Sequence, residues 1–438
     1  RPLSGDMRVG LTSLRPLLVA LTTTCPRQRA IRMGSSAGSG VFELELLSPA
    51  RLSLFLRIAR RDDGFHDSAS LFQTVDLGDR LRLARIPGDE VAAAGVVRPS
   101  RKSEPIKQNV EFSTSPAGIA DLPVDQTNMV VRALTLYRKK LAERDGGSFA
   151  VPRFRAHLVK ELPIDAGLGG AASNAATALL GANELCGGLA SPEELRAWAT
   201  ELEPSVVPFL GGSGSAFCTG RAIFLRGDEV EPLPPLASDD TDADADPDEA
   251  DDALELFVVA PAVELSTPAL FRRLAADGDS GAPPPPPPAE LLGAFAAMEE
   301  GAQPSGGARS SSSGGGGGGS GSSSGGVGGD SGGHSLQLPD DPALYVNDLE
   351  AAALASCAPL AAVRAALLGR EGFRVAAMSG AGPALFALGR PQGGGGGGGG
   401  GETANAFAAR FAEEISAEAG VAVRVWPVRL ARGPAPSL

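Results

Sequence analysis

Histidine is scarce in this chain: three in 438 residues, widely separated. A histidine-based metal cluster is therefore not expected. The four cysteines, Cys25, Cys186, Cys218 and Cys357, form no CxxC pair. They read as reduced, intracellular thiols rather than as a disulfide framework or a zinc site. No apolar run is long enough to span a membrane. An excess of positive charge is missing too, since the formal net charge is −13. That argues against nucleic acid or an anionic membrane surface as the main partner. Much of the charge is local. Asp239 to Asp252 holds nine acids in one run, which reads as a solvated loop and leaves the remainder only mildly acidic.

What is present divides into ordered and low-complexity stretches. The length suggests two domains plus extras. Arg1 to Gly40 carries six arginines and nine Ser/Thr against one acid, Asp6. That composition reads as an organellar transit peptide, with a generic basic tail as the alternative. Six prolines at Pro283 to Pro288, a Gly/Ser tract around Ser305 to Gly333 and a glycine run at Gly393 to Gly401 are linker-like. Such sequences cannot support a core. The expected organisation is a first domain over 41–236, an acidic insertion over 237–253 and a second domain over 254–430. Structureless insertions are expected at about 276–338 and 391–402 of the second domain.

Periodicity predicts the elements. Phe42 to Leu46 and Leu52 to Ile58 alternate as two strands separated by Ser48-Pro49. Ala69 to Val75 follows as a third, which Arg80 to Ala84 continues; Pro87 to Asp125 is irregular. Asn128 to Arg144 is an amphipathic helix, and Pro192 to Leu202 is a helix capped by Ser191. Ser205 to Arg226 reads as a loop into paired strands. Late in the chain come helices Pro342 to Ser356 and Leu360 to Leu368. A hairpin (Phe373 to Met378, Ala384 to Leu388), a helix (Ala404 to Ala419) and a strand (Val421 to Val428) follow. That order fits a ferredoxin-like α+β domain.

The chain is organised around Pro163 to Thr177, PIDAGLGGAASNAAT. Gly167, Gly169 and Gly170 make a tight loop, and Ala171, Ala172, Ala175 and Ala176 favour a helix after it. Phe154 to Lys160 before it reads as a strand. Glycines allow positive φ and close approach of a ligand to the backbone. Unpaired N–H groups at the start of the helix then point at an anion. The alternative is an ordinary glycine-rich connection to a small-residue helix. No Gly-Lys-Ser/Thr follows, so this is not a Walker loop. No acid closes a strand at the distance a dinucleotide fingerprint needs.

This motif resembles the ATP-binding motif of the GHMP kinases, the family of galactokinase, homoserine kinase and mevalonate kinase. Further segments resemble it in order: SPARLSLFLRI from Ser48, DGFHDSASLFQTVDLGD from Asp63 and TNMVVRALTLYRKK from Thr127. PFLGGSGSAFCTGRA from Pro208, Ser266-Thr267-Pro268, VNDLE from Val346 and MSGAG from Met378 continue the series. The DGFH segment resembles the branch of the family that acts on a cytidine diphosphate-linked methylerythritol. The resemblance implies an N-terminal β-α-β nucleotide-binding domain and a C-terminal ferredoxin-like domain. It implies ATP contacts at Pro163, Ala166, Gly167, Leu168, Gly169, Gly170, Ala171, Ala172, Ser173 and Asn174. Substrate contacts are implied at Ser53, Phe65, His66, Thr267, Ser379, Gly380 and Gly382. The Ser173 hydroxyl is read as reaching phosphate or a bound Mg²⁺, or else as a helix cap. The Ser379–Gly382 turn is read as closing on the phosphates, or else as a plain hairpin.

The sequence departs from the family where the chemistry lies. Arg51 stands for the usual lysine, and Val206 for the aspartate that acts as base. Ser53 replaces a substrate-contacting asparagine, and Pro204 a glycine. Valine cannot accept a proton, and loss of a general base costs about 10² to 10⁴ in rate. Asp165 is an acid beside the glycine loop that could substitute; its ordinary reading is a solvated loop aspartate. Two readings follow. One is an ATP- and Mg²⁺-dependent kinase of non-mevalonate isoprenoid synthesis in the plastid, monomeric or homodimeric, acting on a small molecule and on neither nucleic acid nor membrane. The other is a catalytically impaired paralogue that binds nucleotide or a cytidine ligand.

Overall fold

The computed structural model describes residues 31–32, 42–60, 66–86, 110–115, 122–144, 151–221, 229–233, 256–276, 286–296, 338–339, 341–370, 372–389 and 403–431. Phe65, the acidic run, the Gly/Ser tract and the late glycine run lie outside these residues.

Two long strands make the spine of the first sheet. β2 (Leu44–Arg60) and β3 (His66–Arg85) pair antiparallel along almost their whole length. β3 then forks. Its C-terminal half pairs with β5 (Phe154–Val159), and its N-terminal half pairs with β6 (Ser215–Arg221). β4 (Val110–Ser115) lies parallel to β5, and β7 (Glu229–Pro232) extends β6. β1 (Ile31–Arg32) adds two residues beside β2, within the stretch read as a transit peptide. The glycine loop leaves β5 where β5 ends against Arg80, so it enters the fork.

The expected break at Ser48-Pro49 is absent. β2 runs through it with a register shift between Pro49 and Arg51, a place where a ladder tolerates a missing N–H. The third strand likewise starts at His66 and runs through the DLGD segment to Arg85. Within the stretch read as irregular, Val110–Ser115 forms β4.

The second sheet has order β11-β8-β10-β9 and is antiparallel throughout. Its strands are β8 (Leu256–Pro261), β9 (Phe373–Met378), β10 (Leu385–Gly389) and β11 (Val423–Val428). This is the strand order of a ferredoxin-like unit.

Helices α1 (Met129–Arg144), α2 (Gly170–Leu185) and α3 (Pro192–Leu202) cover one face of the first sheet through Tyr137, Leu179, Trp198 and Phe154. The other face meets the second sheet through Leu54, Phe55, Leu71, Val258 and Phe386. Helices α4 (Thr267–Ala276), α6 (Glu350–Ser356), α7 (Ala358–Leu368) and α8 (Ala404–Ala419) belong with the outer layer, where Leu360, Phe411 and Ile415 are buried.

Two expectations for the second domain are corrected. The insertion expected at 276–338 contains a helix, α5 (Pro288–Ala296), whose Leu291, Leu292 and Phe295 are buried in the inter-sheet core. Proline is at home in the first turn of a helix, so the proline run leads into structure. The helix expected at Pro342 to Ser356 is a short 3₁₀ turn, Pro342–Leu344, followed by α6. The residues between them bridge to β2 at Leu56 and Asn347.

Candidate active site

The glycine loop forms strand, loop and helix as its sequence predicts. Gly167 (φ 82°) and Gly169 (φ 70°) are left-handed, and so is Asp165 (φ 52°), whose side chain is exposed. Gly169 caps α2 and provides no side-chain hydrogen bond. The first N–H groups of α2 are thus left to an anion, with the helix dipole favouring one. Ser173 is not the cap: it lies one turn into α2, fully buried, with its hydroxyl unpartnered. The Thr177 hydroxyl one turn further is also buried without a partner.

The loop is held from two sides. On one side the Arg51 N–H donates to the Leu168 carbonyl at 2.9 Å. On the other lies the turn between β9 and β10. The Ser379 hydroxyl donates to the Gly167 carbonyl at 3.1 Å and accepts from the Ser53 N–H at 3.1 Å. Ala384 N–H donates to the Ala166 carbonyl at 3.0 Å. A Cβ at Gly167 would overlap the Ser379 carbonyl oxygen, so only glycine allows this approach. Asn347 sets the turn in place by donating to the carbonyls of Met378 and Gly380 at 2.7 and 2.8 Å. Gly380 and Gly382 both have positive φ. Ser379–Gly382 is therefore a hairpin turn packed against the glycine loop.

Arg51 lies beneath Gly169, where an added Cβ would stand 2.5 Å from the Arg51 Nε. The side chain is buried, with its guanidinium 3.7 Å from the Phe72 ring centroid and 6.0 Å from that of Phe209. Nε and Nη1 have no hydrogen-bond partner. Burial lowers the guanidinium's pKa to about 10, while Cys218 and Glu203 act the other way. A buried cation with idle donors fits an anionic ligand. Val206 sits in the 3₁₀ helix Pro204–Leu210, fully buried among the apolar residues that pack on α2.

The expected substrate residues fall into two places. Ser53, Ser379, Gly380 and Gly382 gather at the glycine loop. His66 lies toward the far end of the β2–β3 pair, opposite Arg60. Its ring is 5.4 Å from that of Phe271 on α4, one turn after Thr267. Sequence reading missed Phe271; its spacing of four from Thr267 on an amphipathic helix was the available signal. It also missed Asp79, a fully buried carboxylate beside the loop. Among the described residues no three His, Cys, Asp or Glu side chains gather to hold a metal ion. No single described helix is long and apolar enough to cross a membrane.

A strand–glycine loop–helix unit facing a second small-residue turn leaves the backbone N–H groups at the start of α2 open to an anion. Residues 128–221 match the family model of the GHMP kinases N terminal domain. It is 35% identical over 258 residues to the chloroplastic 4-diphosphocytidyl-2-C-methyl-D-erythritol kinase of Arabidopsis thaliana, covering 58% of this chain and 55% of the relative. It is 34% identical over 237 residues to the 4-diphosphocytidyl-2-C-methyl-D-erythritol kinase of Protochlamydia amoebophila, covering 54% of this chain and 64% of the relative. The chain spans about half the length of the plant relatives it matches. A crystal structure of a 4-(cytidine 5'-diphospho)-2C-methyl-D-erythritol kinase superposes with a TM-score of 0.50 at 25% identity, over 89% of this chain and all of that one.

Proposed function

We propose that this protein is an ATP-dependent kinase that phosphorylates the 2-hydroxyl of 4-diphosphocytidyl-2-C-methyl-D-erythritol in non-mevalonate isoprenoid synthesis. The observation that carries the reading is the uncapped start of α2 above the buried Arg51 with two idle donors. ATP supplies the phosphoryl group, and these residues fit its polyphosphate. N–H groups at the loop and the start of α2 hold phosphate oxygens. Arg51 neutralises charge that develops during transfer. The Ser173 hydroxyl is the oxygen this chain offers to phosphate or to a magnesium ion arriving on the nucleotide. Ser53 and the Ser379–Gly382 turn orient the acceptor. His66 and Phe271 offer ring faces and a ring edge for cytosine, with Phe65 as a further candidate outside the described residues.

Val206 supplies no base, so transfer relies on positioning and charge neutralisation. That same valine is the one observation favouring the second reading, a binding paralogue without catalysis. The domain limits remain 41–236 and 254–430 in this reading. The leader addresses the protein to the plastid, in line with the chloroplastic names of the plant relatives. An acceptor panel tests the assignment: MgATP with the diphosphocytidyl compound, mevalonate or homoserine, followed by phosphorus NMR of the product. The proposal predicts a new phosphomonoester only with the first; phosphorylation of another acceptor in preference contradicts it.

A further inference from the structure

Asp79 is wholly buried near the end of the DLGD segment of β3 and has no role in the reading above. Its carboxylate accepts four hydrogen bonds. Lys160 Nζ donates at 2.6 Å, the backbone N–H groups of Glu161 and Leu162 at 2.9 Å each, and Asn174 Nδ2 at 3.0 Å. The Lys160 ammonium is buried as well, with 7% of its side chain exposed. These donors come from two separate places. Lys160, Glu161 and Leu162 are the entry to the glycine loop; Asn174 is in the second turn of the helix that leaves it. Gly170, the first residue of α2, sits directly on the pair: an added Cβ would stand 3.2 Å from Lys160 Nζ and 3.7 Å from Asp79 Oδ2.

The geometry has a simple consequence. Residues 163–169 form a loop whose two ends are tied to one carboxylate. A loop anchored at both ends loses freedom before any ligand arrives, and preorganised donors bind more tightly. A buried carboxylate with four donors is also costly to disturb, because removing it strands a buried ammonium and two N–H groups.

We infer that Asp79 is a positioning residue of the glycine loop, fixing its N–H groups for the phosphates of the nucleotide; the inference rests on the kinase reading. Lys160 and Asn174 act through the same carboxylate. Asp79 pairs with Ser48 while His66 pairs with Arg60 at the other end of the β2–β3 ladder, so the cytidine end should not feel its loss.

The test is titration calorimetry on the full chain with MgADP and, separately, with 4-diphosphocytidyl-2-C-methyl-D-erythritol. The chains compared are the unmodified protein, Asp79→Asn and Asn174→Ala. Expected are a Kd for MgADP raised at least tenfold in Asp79→Asn and about threefold in Asn174→Ala. The Kd for the cytidine compound should stay within twofold in both. An unchanged MgADP affinity, or equal weakening of both ligands, overturns the inference and reduces Asp79 to a residue of general stability. If Asp79→Asn fails to fold, Lys160→Met, which breaks the same cluster at a residue not read as an ATP contact, decides by the same criterion. Failure of the unmodified chain to bind MgADP overturns the kinase reading itself.

Discussion

The guanidinium of Arg51 stacks on the ring of Phe72, 3.7 Å from its centroid, with Nε and Nη1 left unpartnered. Arg51 pairs across the ladder with Thr74 and Phe72 with Ser53. A cation–π contact in a buried place partly offsets the loss of water, but not fully, since burial leaves the pKa near 10. That value is below the ordinary guanidinium range. The fold therefore carries a penalty for the charge below pH 10, which fades as pH rises towards the unfolded value. Arg51→Met removes the charge and keeps apolar bulk. The expected outcome at pH 8 is a Tm equal to or above that of the unmodified protein, with turnover reduced about 10² to 10³-fold. Thermal melts and steady-state assays on the same samples check both halves.

Val206 is fully buried against α2. Restoring an aspartate there places a carboxylate among Phe209, Leu210 and the α2 alanines. Val206→Asp should lose about 2 kcal/mol or more of stability, read from urea unfolding. Any rate gained by that variant is then measured against a weakened fold, and a stability equal to the unmodified chain would show that the site is wetter than its packing implies.

Phe271 faces His66 at 5.4 Å between ring centroids. Losing one aromatic contact to a base costs about 1 to 1.5 kcal/mol. Phe271→Ala should therefore raise KM for the diphosphocytidyl substrate about fivefold to tenfold and leave KM for MgATP unchanged. A matching rise for MgATP would remove cytosine recognition from this pair of rings.

Glu350 accepts the Met378 N–H at 2.8 Å and meets Arg364 at 3.1 Å. Burial nevertheless raises its carboxyl pKa, against the pull of Arg364 and the Met378 N–H. An acid with a raised folded-state pKa favours the fold when protonated. Its penalty is present above that pKa and disappears as pH falls towards the unfolded value of about 4.5. Glu350→Gln should melt at or above the unmodified protein at pH 7.5, with the difference closing near pH 4.5. A melt lower at pH 7.5 would show that the Arg364 pair outweighs the burial.

The glycine loop was legible because its signals are local: positive-φ glycines, then an alanine-rich helix. The family resemblance carried the ferredoxin-like order, which β8 to β11 adopt. Long-range features were harder to read. Pro49 looked like a strand end, yet it lies at a register shift where its missing N–H costs nothing. Six prolines suggested a linker, but Leu291, Leu292 and Phe295 beyond them find the inter-sheet core. Asp79 stood in the gap left between Val75 and Arg80, with nothing local to mark it, because its four donors lie more than eighty residues away in sequence. The Ser379–Gly167 contact joins residues 212 apart, a separation no local pattern reports.

The central claim is that phosphoryl transfer proceeds with Arg51 and the loop but without a base at Val206. A coupled ADP-release assay on the unmodified chain, with MgATP and 4-diphosphocytidyl-2-C-methyl-D-erythritol, tests it most directly. The account predicts substrate-dependent ADP release that saturates in both ligands and falls at least a hundredfold in Arg51→Met. Both ligands binding with no ADP released above the Arg51→Met background would contradict it and leave a binding protein on a kinase scaffold.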